Sequence, residues 1–231
     1  MIHQVVVTDV TEMRASACVA GIHLGAHRTV RLATPNPTLQ QLDGIGGLIP
    51  GSLVTVDWTA DAAPRPPHVE DGHWVPGTLQ KTGQLDEDGL LALLDRDSFR
   101  GVVQAFGEPV NWGSSGNASY SPGQGSRSLA TVRCTDVELA VWPDRVRVNF
   151  IDRDGRRWRA VPLQDLAVKR HRVMCKACAR QFEQTLRREF EGPGKLLRVG
   201  LAREWNGGCW LQVNAIFLGK RNHFVPFTAP R

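Results

Sequence analysis

The sequence predicts a mainly β protein built from two OB-like β-barrels, with a small helical connector and one long helix in the second barrel. Short runs of alternating apolar and polar residues fill most of the chain, as expected for half-buried strands. In the second half the elements follow the order strand, strand, strand, helix, strand, strand, which is that of the OB-fold. The first half has the same order with a shorter connector, although no internal sequence repeat relates the halves.

We expect three regions: an acidic N-terminal barrel at 1–85, a helical connector with a Gly/Ser-rich loop at 86–128, and a basic C-terminal barrel at 129–231. The first barrel should contain strands at 4–8, 17–23, 28–33, 52–59 and 73–75, with a short helix at 38–43. Two short helices should fill 86–107, the second capped by Ser98. Residues 112–128, WGSSGNASYSPGQGSRS, read as a linker or mobile loop.

The second barrel should begin with a strand at 129–141 that changes phase near Thr135, which indicates a bulge. Runs at 145–151 and 156–163 flank the turn DRDG and predict a hairpin, with Trp158 and Ala160 on its inner face. A helix is expected at 169–190, with Phe182, Leu186 and Phe190 facing the barrel. Strands at 196–203 and 209–218 follow. In the last of them Leu211, Val213, Ala215 and Phe217 should share one face.

Charge is distributed unevenly between the two halves. Residues 1–112 hold 7 Lys/Arg and 13 Asp/Glu, a net charge of −6, whereas residues 113–231 hold 21 and 10, a net charge of +11. A basic half favours a polyanionic partner. The net charge of the whole chain, +5, hides this difference between the halves. The alternative is that the arginines reflect a general compositional bias.

The predicted hairpin in the basic half carries the main candidate site. OB-folds bind ligands across strands 2 and 3 and the adjoining loops, where arginines can follow a phosphate backbone and tryptophans can stack on bases. The alternative is that Asp152, Asp154, Glu138 or the acidic first half neutralises these arginines. The candidate nucleic-acid-binding residues are Arg145, Arg147, Arg157, Arg159, Arg203, Trp205, Trp142, Lys176 and Arg180.

The helix at 169–190 also carries the chain's CxxC, Cys175 and Cys178, with His171 before it. These three residues are a weak zinc candidate, because a structural zinc site needs a fourth ligand, which Cys134, Cys209 or His223 would have to supply. Inert packing within a helix is the favoured interpretation, and redox chemistry is the least favoured. We therefore expect no cofactor, with zinc as the one possibility.

No Walker A, GxSxG, HExxH or GxGxxG motif occurs in a fitting context, so the sequence predicts no particular reaction. His68, His73, Glu70 and Asp71 could form a metal or acid–base cluster on a loop of the first barrel. The chain has no apolar run long enough to span a bilayer and does not begin with a signal-peptide pattern. Together with five cysteines, this predicts a cytoplasmic protein with no membrane partner.

Several phrases, in order along the chain, resemble the dual OB-domain family of bacteria and archaea. They are CVAGIHL, IPGSLVTVDW and HVEDGHWVP in the first half, and SLATVRC, RVRVNFID with WRAVPLQDL, and VGLAREW with GCWLQVNAIF in the second. The basic CxxC helix departs from that pattern. The resemblance implies a fold similar to nucleic-acid-binding OB proteins and an association with mobile-element or antiviral systems.

These observations lead us to expect a non-enzymatic, nucleic-acid-binding accessory subunit of a larger prokaryotic defence or mobile-element machine. Its ligand would be single-stranded or structured nucleic acid, bound through the basic OB face. Two other hypotheses stay open: a scaffold that docks an acidic protein partner, and a nucleotide-processing enzyme that uses His68, Glu70 or Asp71.

Overall fold

The structure is a computed structural model. It describes residues 1–13, 16–107, 110–113, 116–142, 144–174 and 179–217, with side chains described outside 171–182. Within these ranges, strands predominate over helices, in agreement with the mainly β prediction. No helix of the described part is long and apolar enough to cross a membrane.

The first half forms a closed five-stranded barrel. Its sheet runs in the order β1-β2-β3-β5-β4, and β4 pairs back to β1, while β3 and β5 are parallel. This topology confirms the first OB-like barrel. Its elements are β1 (Ile2–Met13), β2 (Ser16–His23), β3 (Arg28–Thr34), α1 (Leu39–Gly44), β4 (Ser52–Ala60) and β5 (Asp71–Trp74).

Local sequence signals explain these elements well. Val54, Val56 and Trp58 point into the core, as the alternation in β4 predicts. Thr38 and Gln41 form a capping box that starts α1. A sixth strand, β6 (Gln80–Gln84), pairs with β4 and was not predicted, because QKTGQ lacks apolar alternation.

Two short helices connect the halves. They are α2 (Glu87–Arg96), capped by Asp86, and α3 (Val102–Phe106). The prediction that Ser98 caps the second helix is wrong, because Gly101 occupies the N-cap position and the Ser98 hydroxyl donates to the Asp95 carbonyl. Leu90 and Leu94 of α2 pack in a small apolar cluster shared by both halves.

The second half forms a curled half-barrel sheet in the order β11-β10-β9-β12-β13-β8-β7. The end of β11 and the part of β13 beyond its pairing with β8 meet at a single parallel bridge between Leu163 and Val213, where a closed OB barrel would pair strands 3 and 5. The elements are β7 (Asn111–Trp112), β8 (Ala118–Tyr120), β9 (Leu129–Val141), β10 (Val146–Asp152), β11 (Arg157–Pro162), α4 (Leu166–Met174), α5 (Ala179–Phe190), β12 (Leu196–Leu201) and β13 (Cys209–Phe217).

The Gly/Ser-rich segment is part of this sheet, which corrects the prediction of a linker or mobile loop. Its strands β7 and β8 pair with each other, and β8 pairs with β13. Tyr120 is buried in the core, and Trp112 stacks on the buried Trp158 with ring centroids 5.5 Å apart. The β7–β8 ribbon therefore links β13, by strand pairing, to β11, by the contact between Trp112 and Trp158.

Bulges set the phase of the second sheet. The predicted bulge at Thr135 is confirmed by a register shift between Cys134 and Asp136 of β9. Two further bulges overturn predicted faces. A bulge at Asn214 separates Leu211 and Val213 from Ala215 and Phe217, which pack in a different apolar cluster. A bulge at Ala160 directs the Val161 side chain into the core instead of that of Ala160.

The predicted helix at 169–190 corresponds to α4 and α5, and residues 175–178 between them lie outside the described part. Leu186 is fully buried in the second core and Phe190 packs against it, as expected for an inward face. The side chain of Phe182 lies outside the described residues. Leu166, at the start of α4, contributes instead to the core of the first barrel, so α4 lies between the two barrels.

Candidate nucleic-acid interface

The hairpin of β10 and β11 presents arginines on its outer face. Val146, Val148 and Phe150 are buried, which turns the alternate residues of β10 outward. Arg145, Arg157 and Arg159 are exposed and Arg147 is half-buried, so the four predicted arginines occupy one outer surface. We call these four residues the hairpin arginines.

The hairpin arginines are poorly neutralised within the described part of the chain. Among the four, only Arg145 forms an ion pair, with Asp144 at 3.8 Å, and this pair is exposed. Arg147 donates to the Ala160 carbonyl at 3.2 Å. Burial and repulsion from Arg145 lower the pKa of Arg147, and Asp144 opposes this shift. A bound anion would therefore relieve the repulsion between the guanidinium groups of this surface.

Of the proposed internal counter-ions, Asp152 and Asp154 form other contacts, and Glu138 is exposed on β9 opposite Asn149. Asp152 is buried and accepts hydrogen bonds from the Trp158 indole and the backbone N–H groups of Val102 and Arg156. Asp154 pairs with Arg100 at 3.0 Å. Neither carboxylate forms an ion pair with a hairpin arginine in the described structure.

Two partly exposed indoles flank the hairpin. Trp142, 42% exposed, lies in the β9–β10 turn, and the Arg145 guanidinium sits 5.5 Å from its ring centroid. Trp112, 49% exposed, lies under the Arg156 guanidinium at 5.8 Å. Adjacent guanidinium and indole surfaces can contact a phosphate and a base together.

A groove of about 260 Å³ adjoins the hairpin arginines. Arg145, Arg147 and Lys169 line it on the basic side, and Glu12 and Asp144 on the acidic side. Lys169 lies 3.7 Å from Glu12 and Arg170 lies 3.1 Å from Asp43, so these two basic residues of α4 contact acidic residues of the first barrel. The acidic first barrel therefore neutralises the two basic residues at the start of α4, as the alternative to nucleic-acid binding expects.

The loop between β12 and β13 contributes differently from its prediction. Trp205 is 71% exposed and so is accessible to a ligand. Arg203, however, forms an ion pair with Asp71 of the first barrel. This ion pair connects the loop to the first barrel. The Arg203 guanidinium therefore already has a partner before any ligand binds.

The remaining predicted residues lie outside the described part. Lys176, Cys175 and Cys178 are not described at all, and neither are the side chains of His171 and Arg180. The zinc hypothesis therefore stays a prediction. Cys134 and Cys209, two of its suggested fourth ligands, are buried free thiols whose pKa is raised by burial, and His223 is also outside the described residues.

The acid–base candidates of the first barrel form structural contacts. Glu70 is buried and accepts hydrogen bonds from the backbone N–H groups of Ser128 and Leu129, at 2.8 and 3.1 Å. Asp71 pairs with Arg31 at 3.0 Å. Burial, with the nearby charges of Arg31 and Arg203, lowers the pKa of His68 to about 4. These side chains join the two barrels, whereas His73 is exposed.

Comparison with known proteins agrees with this architecture. The family model described as the dual OB-containing domain matches residues 3–216. The chain belongs to the dual OB-containing domain family. No curated protein and no solved structure matches the chain. An OB domain commonly binds nucleic acids or proteins, so this dual OB protein is a candidate binding module of one of those two kinds.

The sequence did not reveal the polar interface between the two barrels of this dual OB protein. Asp9 of β1 and Arg198 of β12 are both buried and form a 2.8 Å ion pair, and Asn214 donates to Asp9 at 2.9 Å. The available signal was a charged residue inside an apolar run, in VVVTDV and in LLRVGL. Strand-by-strand reading could not show that bulges at Thr8 and Asn214 aim these side chains at each other.

Proposed function

We propose that the protein is a non-enzymatic module that binds single-stranded or structured nucleic acid through the hairpin arginines and the neighbouring indoles. The observation that carries this proposal is the outer face of the hairpin, where Arg147, Arg157 and Arg159 have no carboxylate partner among the described residues. A phosphate backbone would supply the missing negative charge, and guanidinium groups suit phosphate oxygens. In this proposal the partly exposed rings of Trp142 and Trp112 stack on bases.

The dual OB architecture is typical of a binding module, which motivates the wider setting of this proposal. We propose that the module serves as an accessory subunit of a larger prokaryotic machine, in defence or in a mobile element, and acts in the cytoplasm. A non-enzymatic binding module would act through such partners.

The first experiment measures fluorescence anisotropy of labelled single-stranded DNA and RNA against rising salt. We expect binding whose log affinity falls linearly with log salt, by about 0.7 for each phosphate contact. The double variant Arg157→Glu/Arg159→Glu should weaken binding at least about tenfold and flatten the salt slope. Trp142→Ala should weaken it by about fivefold or more, through lost stacking.

A matched control separates a local site from a net-charge effect. Arg65→Glu/Lys81→Glu changes the total charge by the same amount on the first barrel, and it should alter affinity much less. Binding that is absent, that ignores salt, or that falls equally in both double variants would refute the proposal. Binding of poly-glutamate without binding of oligonucleotide would favour the alternative, a scaffold that docks an acidic protein.

A further inference from the structure

A second basic site lies between the two barrels, apart from the hairpin. It is a cleft of about 690 Å³ at the meeting point of β3, β4, the end of α2 and the start of β9. Four arginines line it, against two carboxylates. The arginines are Arg28, Arg96, Arg127 and Arg198, and the carboxylates are Glu70 and Asp97.

The carboxylates of the cleft are already engaged. Glu70 accepts the backbone N–H groups of Ser128 and Leu129, and Asp97 pairs with Arg96 at 3.2 Å. Arg28 and Arg127 have no ion pair among the residues that the structure describes. The cleft therefore carries positive charge that the described part of the chain does not neutralise.

Two buried donors in this cleft lack acceptors. Arg198 is only 2% exposed, and its Nε and Nη1 donate to Asp9 and Thr131, but its Nη2 has no hydrogen-bond partner in the described structure. The buried Nε of Arg127 also has none. Buried polar groups in native proteins are normally satisfied, so such donors indicate a ligand with acceptor oxygens.

The cleft also offers flat aromatic and guanidinium surfaces. The Arg127 guanidinium lies 4.6 Å from the centroid of the Phe99 ring, and that of Arg28 lies 5.2 Å from the centroid of Trp58. Such stacked pairs recognise planar groups. The volume falls within the usual range for small-ligand sites and far exceeds that of a bare phosphate ion.

We propose that this inter-barrel cleft binds a nucleoside phosphate, with Arg127, Arg198 and Arg28 contacting the phosphate. The phosphate oxygens would accept from the unsatisfied guanidinium donors, and the nucleoside would occupy the rest of the cleft beside Phe99. The phosphate belongs either to a free nucleotide or to the end of a nucleic-acid strand. This site is independent of the hairpin arginines.

Isothermal titration calorimetry of the full chain tests the site with AMP, adenosine and inorganic phosphate. We expect AMP to bind at least about tenfold more tightly than adenosine, because the phosphate supplies charge-assisted hydrogen bonds. Arg127→Gln and the exposed Arg28→Gln should each weaken AMP binding about tenfold. The hairpin variant Arg157→Glu/Arg159→Glu should leave it unchanged within about twofold.

A second arm distinguishes the two sources of the phosphate. In the hairpin double variant, oligonucleotides with a 5′-phosphate or a 5′-hydroxyl are compared by anisotropy. Binding of AMP identifies a free nucleotide, and binding of the phosphorylated oligonucleotide alone identifies a strand end. Arg127→Gln should weaken either by about tenfold. The proposal is overturned if neither probe binds at about millimolar concentration, or if both arginine variants fold, by thermal unfolding, yet bind like the wild type.

Discussion

His68 illustrates at the scale of one residue how the junction between the barrels controls a titratable group. Its ring is 6% exposed, and its Nδ1 lies 3.4 Å from a guanidinium nitrogen of Arg31. Burial, followed by the charges of Arg31 and Arg203, lowers its pKa from 6.5 to about 4. The folded protein therefore holds His68 neutral over a pH range where the unfolded chain would protonate it.

His68→Asn should make the protein less sensitive to mild acid. Between pH 6.5 and 4 the unfolded wild type binds a proton that the folded state excludes, so its free energy of unfolding falls as pH falls. A pKa lowered from 6.5 to about 4 limits the loss in the free energy of unfolding to about 3 kcal/mol. Urea unfolding at pH 7 and pH 4.5 checks it, and the difference should shrink in the variant.

The exposed His73 provides a control for this measurement. His73→Asn removes a histidine from the same strand region without changing the junction, and its pH dependence should follow the wild type. Equal pH dependence in the wild type and His68→Asn would show that His68 is not the group responsible.

At the scale of the element, the β10–β11 hairpin depends on its bulge at Ala160. This residue has a φ of 54°, in the left-handed region that a side chain disfavours. Its N–H donates to the Asn149 side chain at 2.9 Å, and its carbonyl accepts from Arg147. The bulge lets Arg159 point outward while Val161 returns to the core.

Ala160→Gly should stabilise the protein by about 0.5–1 kcal/mol, because glycine adopts a positive φ without steric cost. Ala160→Val should destabilise it by more than about 1 kcal/mol, since a β-branched residue fits this conformation worst. Chemical denaturation monitored by circular dichroism measures both. Ala140→Gly in the neighbouring strand β9 is the control, and this change should be destabilising there.

Element order and alternation were enough to predict both barrels, the hairpin, and the bulge at Thr135. The failures share a physical cause, which is that tertiary contacts decided the local conformation. Bulges at Ala160 and Asn214 shift the phase by one residue, and a strictly alternating pattern does not show them. The β7–β8 ribbon reads as a loop because its strands are short and are stabilised by Trp158 and by pairing with β13.

The outward arginines of the hairpin could be predicted from alternation alone, because each adjoins a buried apolar residue, Val146, Val148 or Trp158. The inter-barrel cleft could not, since it combines Arg28, Phe99, Arg127 and Arg198 from four separate regions. Its residues become neighbours only when the two barrels pack, and that packing depends on polar groups that a strand-by-strand reading treats as outward-facing.

At the scale of the whole molecule, the two barrels are joined by buried charge as well as by apolar contacts. Asp9 is 0% and Arg198 2% exposed, and their ion pair is surrounded by Thr8, Thr131 and Asn214. Because desolvating such a pair is costly, we infer that its geometry contributes more to the specific orientation of the barrels than to net stability. Removing one partner leaves the other charge buried and alone.

Asp9→Ala should therefore destabilise the protein by about 3–5 kcal/mol, because the Arg198 guanidinium stays buried without its carboxylate. The double variant Asp9→Leu/Arg198→Met should recover much of that loss, since an apolar pair of similar volume carries no unpaired charge. Arg96→Ala, which breaks an exposed ion pair, should cost at most about 1 kcal/mol. Urea unfolding followed by tryptophan fluorescence compares all three. If Asp9→Ala lowers the free energy of unfolding by less than about 1 kcal/mol, water reaches Arg198 and the barrels separate more readily than their packing indicates.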